Sequence, residues 1–317
     1  MQAIILAAGK GSRLHPITIN RSKAMLPVLG KPIISRVMES IATNGIKEFI
    51  VVISPDDREI RGYFADEADM EAEVRFVVQP ECIGSGDALR WAAPLIRGEF
   101  IQSACDNLVA AEEIGRMLTL WRNDPRPTAI LSLVRVPPED IPRTGIVALD
   151  GMFVTRIVEK PHLEDAPSDI ASMPLYCFPR RILDFLADLP LSPRGEYEIQ
   201  PAIQALIDEC GGVRGMLVPG RLTLTTAADL LAINRHYLVS GGDRSQVAPQ
   251  AVGANTRLTP PLHIEPGVVI GADCIIGPNV YIERDCRIGD GVTMQNSVVL
   301  RGTIVTRGAV IDGQVLS

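Results

Sequence analysis

The chain opens Met1-Gln2-Ala3-Ile4-Ile5-Leu6-Ala7-Ala8-Gly9-Lys10-Gly11-Ser12-Arg13-Leu14, and Lys23 follows ten residues after Arg13. Residues 3–7 are a short apolar run of strand type, which Gly9 to Arg13 break into a glycine loop. Two glycines two apart let backbone N–H groups turn toward a ligand. Singly, Arg13 and Lys23 read as solvated surface cations. Beside a strand and a tight glycine loop they read as groups that hold a triphosphate.

Working outward, residues 1 to about 238 alternate short apolar runs with helical patterns. Strands are predicted at Ala3–Ala7, Glu48–Ile53, Val74–Val78, Phe100–Ser103 and Thr128–Val136. Ile33, Ile34, Val37, Met38 and Ile41 share one helical face, as do Ile114, Leu118 and Trp121. Such alternation predicts an α/β domain with a mostly parallel sheet, whose ligands sit at the carboxyl ends of the strands.

The pattern changes after Tyr237. Ser240 to Gln246 is a polar, glycine-bearing stretch, and a period of six follows. Val252, Leu258, Ile264, Ile270, Ile276, Ile282, Ile288, Met294 and Leu300 are spaced by six without a gap. A second set, from Thr256 through Leu262, Val268, Cys274, Val280, Cys286 and Val292 to Val298, lies two residues earlier. Gly271, Gly277 and Gly289 follow main positions, where the chain must turn. This is a hexapeptide repeat and resembles the left-handed parallel β-helix, in which three hexads make one coil. Nine hexads predict three coils. The register is expected to fail after Leu300, with Ile304, Val305, Val310 and Ile311 in a shifted final turn.

Length and composition bound the rest. The chain has 317 residues, enough for two domains, with 46% hydrophobic and only 4% aromatic residues, so aliphatic packing must dominate. A net charge of −7 argues against a nucleic-acid surface, and a phosphorylated substrate must meet a local basic cluster. No run of eighteen apolar residues and no signal segment is present, so no membrane association is expected. Six scattered cysteines without a Cys-x-x-Cys pair read as reduced thiols in a cytoplasm.

Further motifs follow in order. Pro16, Thr18, Lys23-Ala24-Met25-Leu26-Pro27-Val28 and Gly30-Lys31-Pro32 continue the opening loop. Gln79-Pro80, Gly84-Ser85-Gly86-Asp87, Cys105-Asp106-Asn107, Gly145-Ile146-Val147, Val158-Glu159-Lys160-Pro161 and Gly195-Glu196-Tyr197-Glu198-Ile199 complete the series. The series resembles the sugar-phosphate nucleotidyltransferases, of the long glucose-1-phosphate thymidylyltransferase or uridylyltransferase type with a C-terminal left-handed β-helix. The resemblance implies a Rossmann-like nucleotidyltransferase domain over 1–238, a linker over 239–246 and a left-handed β-helix over 247–317.

It also implies a reaction. A sugar 1-phosphate oxygen attacks the α-phosphorus of a nucleoside triphosphate, and pyrophosphate leaves. Both reactants are anionic, so the protein mainly aligns them and neutralises charge. Arg13 then belongs at the β- and γ-phosphates and Lys23 at the α-phosphate. Leu6, Ala8, Gly9, Gly11, Ser12, Gln79, Gly84 and Ser85 contact the nucleotide. Gly145, Glu159, Lys160, Tyr176 and Glu196 hold the sugar phosphate. Asp106 suits Mg²⁺, which takes oxygen ligands together with substrate phosphates; its other reading is a helix N-cap. Gln79 offers an amide donor and acceptor that fit uracil or thymine without excluding other bases; its other reading is a strand-end glutamine bonded to backbone. With the resemblance, UTP or dTTP is favoured, together with a hexose 1-phosphate, glucose first.

The sequence departs from the family at several points. Thr223 occupies the usual second metal-ligand position and Thr225 a usual glycine, while Ser22, Cys105 and Pro174 are further replacements. These leave two alternatives open: a weak or inactive nucleotide-binding regulator, and a transferase acting on a non-hexose phosphate. An acyltransferase activity in the repeat, as some relatives have, usually uses a histidine base. The repeat holds only His263, between Leu262 and Ile264, which is expected to be structural or exposed. The repeat is instead expected to assemble a homo-oligomer.

Overall fold

Gln2–Leu6 (β1) is apolar on both faces, and such a strand must be covered on both sides. The computed structural model describes residues 1–123, 126–220, 222–240 and 247–317. Residues 241–246 of the expected linker lie outside the described residues, and Val239 and Ser240 end a helix. The chain forms two compact units, Met1–Lys10 with Ile34–Arg221, and Gly11–Ile33 with Leu222–Ser317.

In the first unit the early strands are β1, Glu48–Ile53 (β2), Glu73–Val78 (β3) and Phe100–Ala104 (β4), close to the predicted runs. The later ones are Ala129–Arg135 (β5), Gly145–Asp150 (β6), Phe153–Glu159 (β7), Ile170–Phe178 (β8) and Val213–Leu217 (β9). They make one sheet in the order β3-β2-β1-β4-β8-β5-β9-β7-β6. The helices are Ile33–Ala42 (α1), Arg58–Asp66 (α2), Ser85–Ala92 (α3), Ala111–Arg122 (α4) and Gln200–Cys210 (α5). The predicted faces of α1 and α4 are buried.

The sheet corrects the expectation of mostly parallel strands: it is mixed. The β3-β2-β1-β4 half is parallel, as is β5 with β9, whereas β8 runs antiparallel to β4, β5 and β6, and β7 antiparallel to β6 and β9. A parallel connection needs a crossover of a dozen or more residues, usually a helix. After α4 that alternation stops, and β6 and β7 are joined by a tight turn at Gly151. Order reverses beside β1: the chain moves outward to β2 and β3, then returns to β4 on the other side. The carboxyl ends of β1 and β4 therefore flank a topological switch point, where open α/β sheets place ligands.

In the second unit, twelve short strands form three four-stranded parallel sheets, consistent with a β-helix. They are Ala251–Val252 (β10), Arg257–Leu258 (β11), Leu262–Ile264 (β12), Val269–Ile270 (β13), Ile275–Ile276 (β14) and Val280–Ile282 (β15). Arg287–Ile288 (β16), Thr293–Gln295 (β17), Val298–Val299 (β18), Ile304–Val305 (β19), Val310–Asp312 (β20) and Val315–Leu316 (β21) follow. The nine hexads supply three strands to each sheet, as expected, and the fourth strand of each falls in the shifted final turn. The register differs. Val299, not Leu300, pairs with Ile282, so the hexad from Met294 to Val299 is a residue short, and so is the last, from Ile311 to Leu316. Leu300 is also buried, and the three adjacent aliphatics Val298, Val299 and Leu300 hid the slip. His263, outward on β12, is buried edge-on against Tyr281. Ala227–Ser240 (α6) packs against β18 and β21 of the same unit.

Candidate active site

The carboxyl ends of the early strands open onto a cavity of about 280 Å³ in the first unit. It brings together Leu6, Ala8, Gly9, Gln79, Gly84, Ser85, Tyr176 and Glu196, all expected ligand contacts. Gly9 has open space where a Cβ would stand, so the cavity reaches the backbone there. At Gly84 the reason for glycine is different. With φ +114° and a Cβ position 2.4 Å from the Tyr197 carbonyl oxygen, it permits close approach of segment 196–199. Gly86 is hemmed in by the same segment and by Leu189, so it makes no room for a base. Ser85 Oγ accepts from the Ile199 N–H at 3.2 Å.

Gln79 is buried, and its amide nitrogen donates to the Gly84 carbonyl at 3.1 Å and to Asp87 Oδ2 at 2.8 Å. Both neighbours are acceptors, so the amide orientation is fixed and the donor side is used internally. Gln79 has only its carbonyl oxygen left for a ligand. Asp87 lies in the first turn of α3 and orients Gln79 instead of capping the helix. Tyr176 is fully buried against Phe178, and its hydroxyl is 3.0 Å from Ser172 Oγ; burial raises its pKa.

Gly145, Glu159 and Lys160 form an adjoining cluster. A Cβ on Gly145 would lie 3.1 Å from Glu159 Oε2 and 3.4 Å from Nε2 of Gln200, which lines the cavity. Glu159 Oε1 pairs with Lys160 at 2.9 Å and with Arg194 at 3.3 Å. Its other oxygen is buried without a hydrogen-bond partner. Arg194 also bonds Glu198 and approaches Glu196 at 4.0 Å. Burial, the Glu159 charge and a bond with Glu196 push the Glu198 carboxyl up to about 7, against the pull of Lys160 and Arg194. Lys160 holds φ +44°, the left-handed region that side chains other than glycine rarely adopt.

Arg194, Gln102 and Gln200 are absent from the sequence-based expectations, and Glu198 enters them only within the Gly195–Ile199 motif, without a role. Gln102 had a readable signal, a polar residue inside the apolar run Phe100–Ala104, and it lines the cavity with its Oε1 unpartnered. Arg194 precedes the Gly195–Ile199 motif and Glu198 lies within it, but only the loop's fold brings them to Glu159.

Gly11, Ser12, Arg13, Lys23 and Thr223 belong to the second unit. Gly11 turns the chain at φ +61°, and its missing Cβ would stand 3.0 Å from Lys23 Cβ, so the glycine seats the lysine stem. Thr18 Oγ1 donates to the Gly11 carbonyl at 2.8 Å. Short 3₁₀ turns at Ser12–Leu14 and Lys23–Met25 carry the two cations. Arg13 is exposed and Lys23 half-buried.

Asp106 follows β4 at its carboxyl end and caps no helix; the N-cap of α4 is Ala110. Among the described residues no three His, Cys, Asp or Glu side chains cluster as metal ligands. A single carboxylate suits Mg²⁺ carried largely by phosphates and water, and does not make an all-protein cage. The Thr223 hydroxyl, in the second unit, is buried without a hydrogen-bond partner. No helix among the described residues is long and apolar enough to cross a membrane.

Sequence models of two families match: one described as Nucleotidyl transferase over residues 2–217, the other as GMPPB C-terminal domain over residues 258–317. A relative named bifunctional protein GlmU, from Methanococcus maripaludis, is 31% identical over 242 residues, covering 75% of this chain and 54% of the relative. The chain spans about 54–62% of the length of three such relatives. A glucose-1-phosphate thymidylyltransferase of Streptomyces antibioticus is 29% identical across 100% of this chain and 92% of its own. A solved UDP-glucose pyrophosphorylase complexed with UDP-glucose aligns with a TM-score of 0.68 at 21% identity, covering 74% of this chain and 97% of that one; this likeness is one of fold.

Proposed function

Because the chain belongs to the nucleotidyl transferase family, we propose that it joins a nucleoside triphosphate to a sugar 1-phosphate. The products are a nucleotide-activated sugar and pyrophosphate. The observation that carries this reading is the single cavity lined by residues from far apart in sequence, from Leu6 to Gln79 and Glu196. The relatives named for glucose-1-phosphate thymidylyl and uridylyl transfer support it.

In this reading the phosphate oxygen of the sugar 1-phosphate attacks the α-phosphorus, the bond to the β-phosphate breaks, and pyrophosphate departs. Arg13 neutralises the β- and γ-phosphates and Lys23 the α-phosphate. Gly9, Gly11 and Ser12 offer backbone N–H groups. Gln79, held by Gly84 and Asp87, accepts from an imide N–H, which uracil and thymine carry. UTP or dTTP therefore fits. Lys160 holds the sugar phosphate, and the free oxygen of Glu159 beside Gly145 accepts from a sugar hydroxyl. Tyr176 and Glu196 complete that side, and glucose 1-phosphate is the favoured acceptor. Asp106 would hold Mg²⁺, and Thr223 would offer at most a weak neutral oxygen. Bound there, the metal would offset the negative charge of the phosphates.

We assign the transferase domain to residues 1–238, with a linker over 239–246 and a left-handed β-helix over 247–317 that serves assembly of a homo-oligomer. The reading takes the protein to act in the cytoplasm, where its substrates are. A second reading, a nucleotide-binding regulator with little turnover, draws on Thr223 standing where an acid is usual. A matrix of the common triphosphates against hexose and non-hexose phosphates, with Mg²⁺, tests both. Pyrophosphate release fastest with UTP or dTTP and glucose 1-phosphate supports the transferase. Triphosphate binding without release for any pair supports the regulator.

A further inference from the structure

Within the second unit, the loop that carries Arg13 and Lys23 is tied to the coil by buried polar contacts. Arg21, two residues before Lys23, meets Glu283 with two parallel hydrogen bonds of 2.8 Å each, and the side chains are only 11% and 5% exposed. Glu283 follows β15, and its carboxylate also accepts from the Arg301 N–H at 2.8 Å, one coil further on. Beyond Lys23, the Gly30 N–H donates to the Tyr281 hydroxyl at 3.3 Å, and that hydroxyl donates to Glu265. Glu265 in turn accepts from the Arg284 N–H at 3.0 Å. Tyr281 lies between Val280 and Ile282, which face the coil interior, so it points outward; yet it is fully buried. On α6, Asn234 accepts from the Leu29 N–H at 3.0 Å and donates to the Pro27 carbonyl at 3.1 Å. Lys23 is thus bracketed by anchors on both sides.

A buried ion pair of this kind contributes little net stability, because desolvation of both charges offsets their attraction. Its bidentate geometry does fix position. We propose that Arg21 and Glu283 are positioning residues for Lys23 and Arg13, which makes the coil part of the catalytic apparatus as well as an assembly element. The proposal rests on the nucleotidyl-transfer reading above. It requires the coil to act through the loop: Glu283 touches no substrate, and displacing the loop by about an ångström would cost on the order of a hundredfold in rate.

The test compares full-length Glu283→Gln, Arg21→Gln, the double variant and Met294→Ala, the last a control in the coil interior. Glu283→Gln is expected to lower kcat/KM for the triphosphate about a hundredfold with the KM for sugar phosphate unchanged. The double variant should fall no further than the single ones. Met294→Ala should lower Tm at least as much while kcat/KM stays at the wild-type value. The proposal is overturned if Glu283→Gln keeps wild-type kcat/KM, or if activity merely tracks Tm across all four variants. Should the wild type itself show no turnover, the transfer reading fails, and calorimetry with UTP decides the positioning claim. Weaker UTP binding in Glu283→Gln but not in Met294→Ala supports it, and equal affinities overturn it.

Discussion

Gln79 can present only an acceptor because Asp87 and Gly84 take its amide hydrogens. Removing Asp87 frees the amide to turn and offer either end. Asp87→Ala should therefore narrow the preference for UTP over CTP by about tenfold, the value of roughly one hydrogen bond, read as a ratio of kcat/KM values. An unchanged ratio would mean that Gln79 does not read the base. Glu198 makes a second prediction. Its folded pKa, about 7, lies above the ordinary carboxylate value because burial and Glu159 disfavour its charge. The sign follows: the neutral form favours folding, so this contribution is whole below the unfolded pKa and is lost as pH rises through about 7. Glu198→Gln keeps the neutral form at every pH. The difference in Tm between variant and wild type should grow in the variant's favour from pH 5 to pH 8 and be smallest at the acid end.

At the scale of elements, close contact between coils sets what the repeat tolerates. Gly277 holds φ +103°, and a Cβ there would lie 1.9 Å from the Thr259 carbonyl oxygen of the preceding coil. Gly277→Ala should cost about 3 kcal/mol through overpacking and backbone strain, measured by denaturant unfolding. A neutral outcome would mean that the corner opens easily. Early strands were legible in sequence because each is a local apolar run: Glu48–Ile53 was bounded to the residue. The order of the later strands was not, since antiparallel returns such as β8 beside β4 depend on contacts distant in sequence. The repeat was legible through its period, but its slip was masked by three adjacent buried aliphatics at Val298–Leu300. In the site, glycines and cations were legible as motifs. Arg194 was not, because its partners Glu159 and Glu198 converge only on folding.

For the whole molecule, the coil carries aliphatic side chains on its outside: Ile275, Ile304 and Val310 are 50%, 71% and 77% exposed. The assembly reading predicts that they are covered in an oligomer. Light scattering should give a mass of two or more chains, and Ile304→Lys with Val310→Lys should lower it; a monomeric wild type would contradict assembly. The central claim concerns chemistry. It is tested most directly by incubating the chain with Mg²⁺, UTP or dTTP, and glucose 1-phosphate, then measuring nucleotide-sugar by mass and pyrophosphate by release in the same sample. The account predicts the two products in equal amounts, falling together about a hundredfold or more in Lys23→Ala or Arg13→Ala. Pyrophosphate or free phosphate without nucleotide-sugar, or bound triphosphate with neither product, would contradict it.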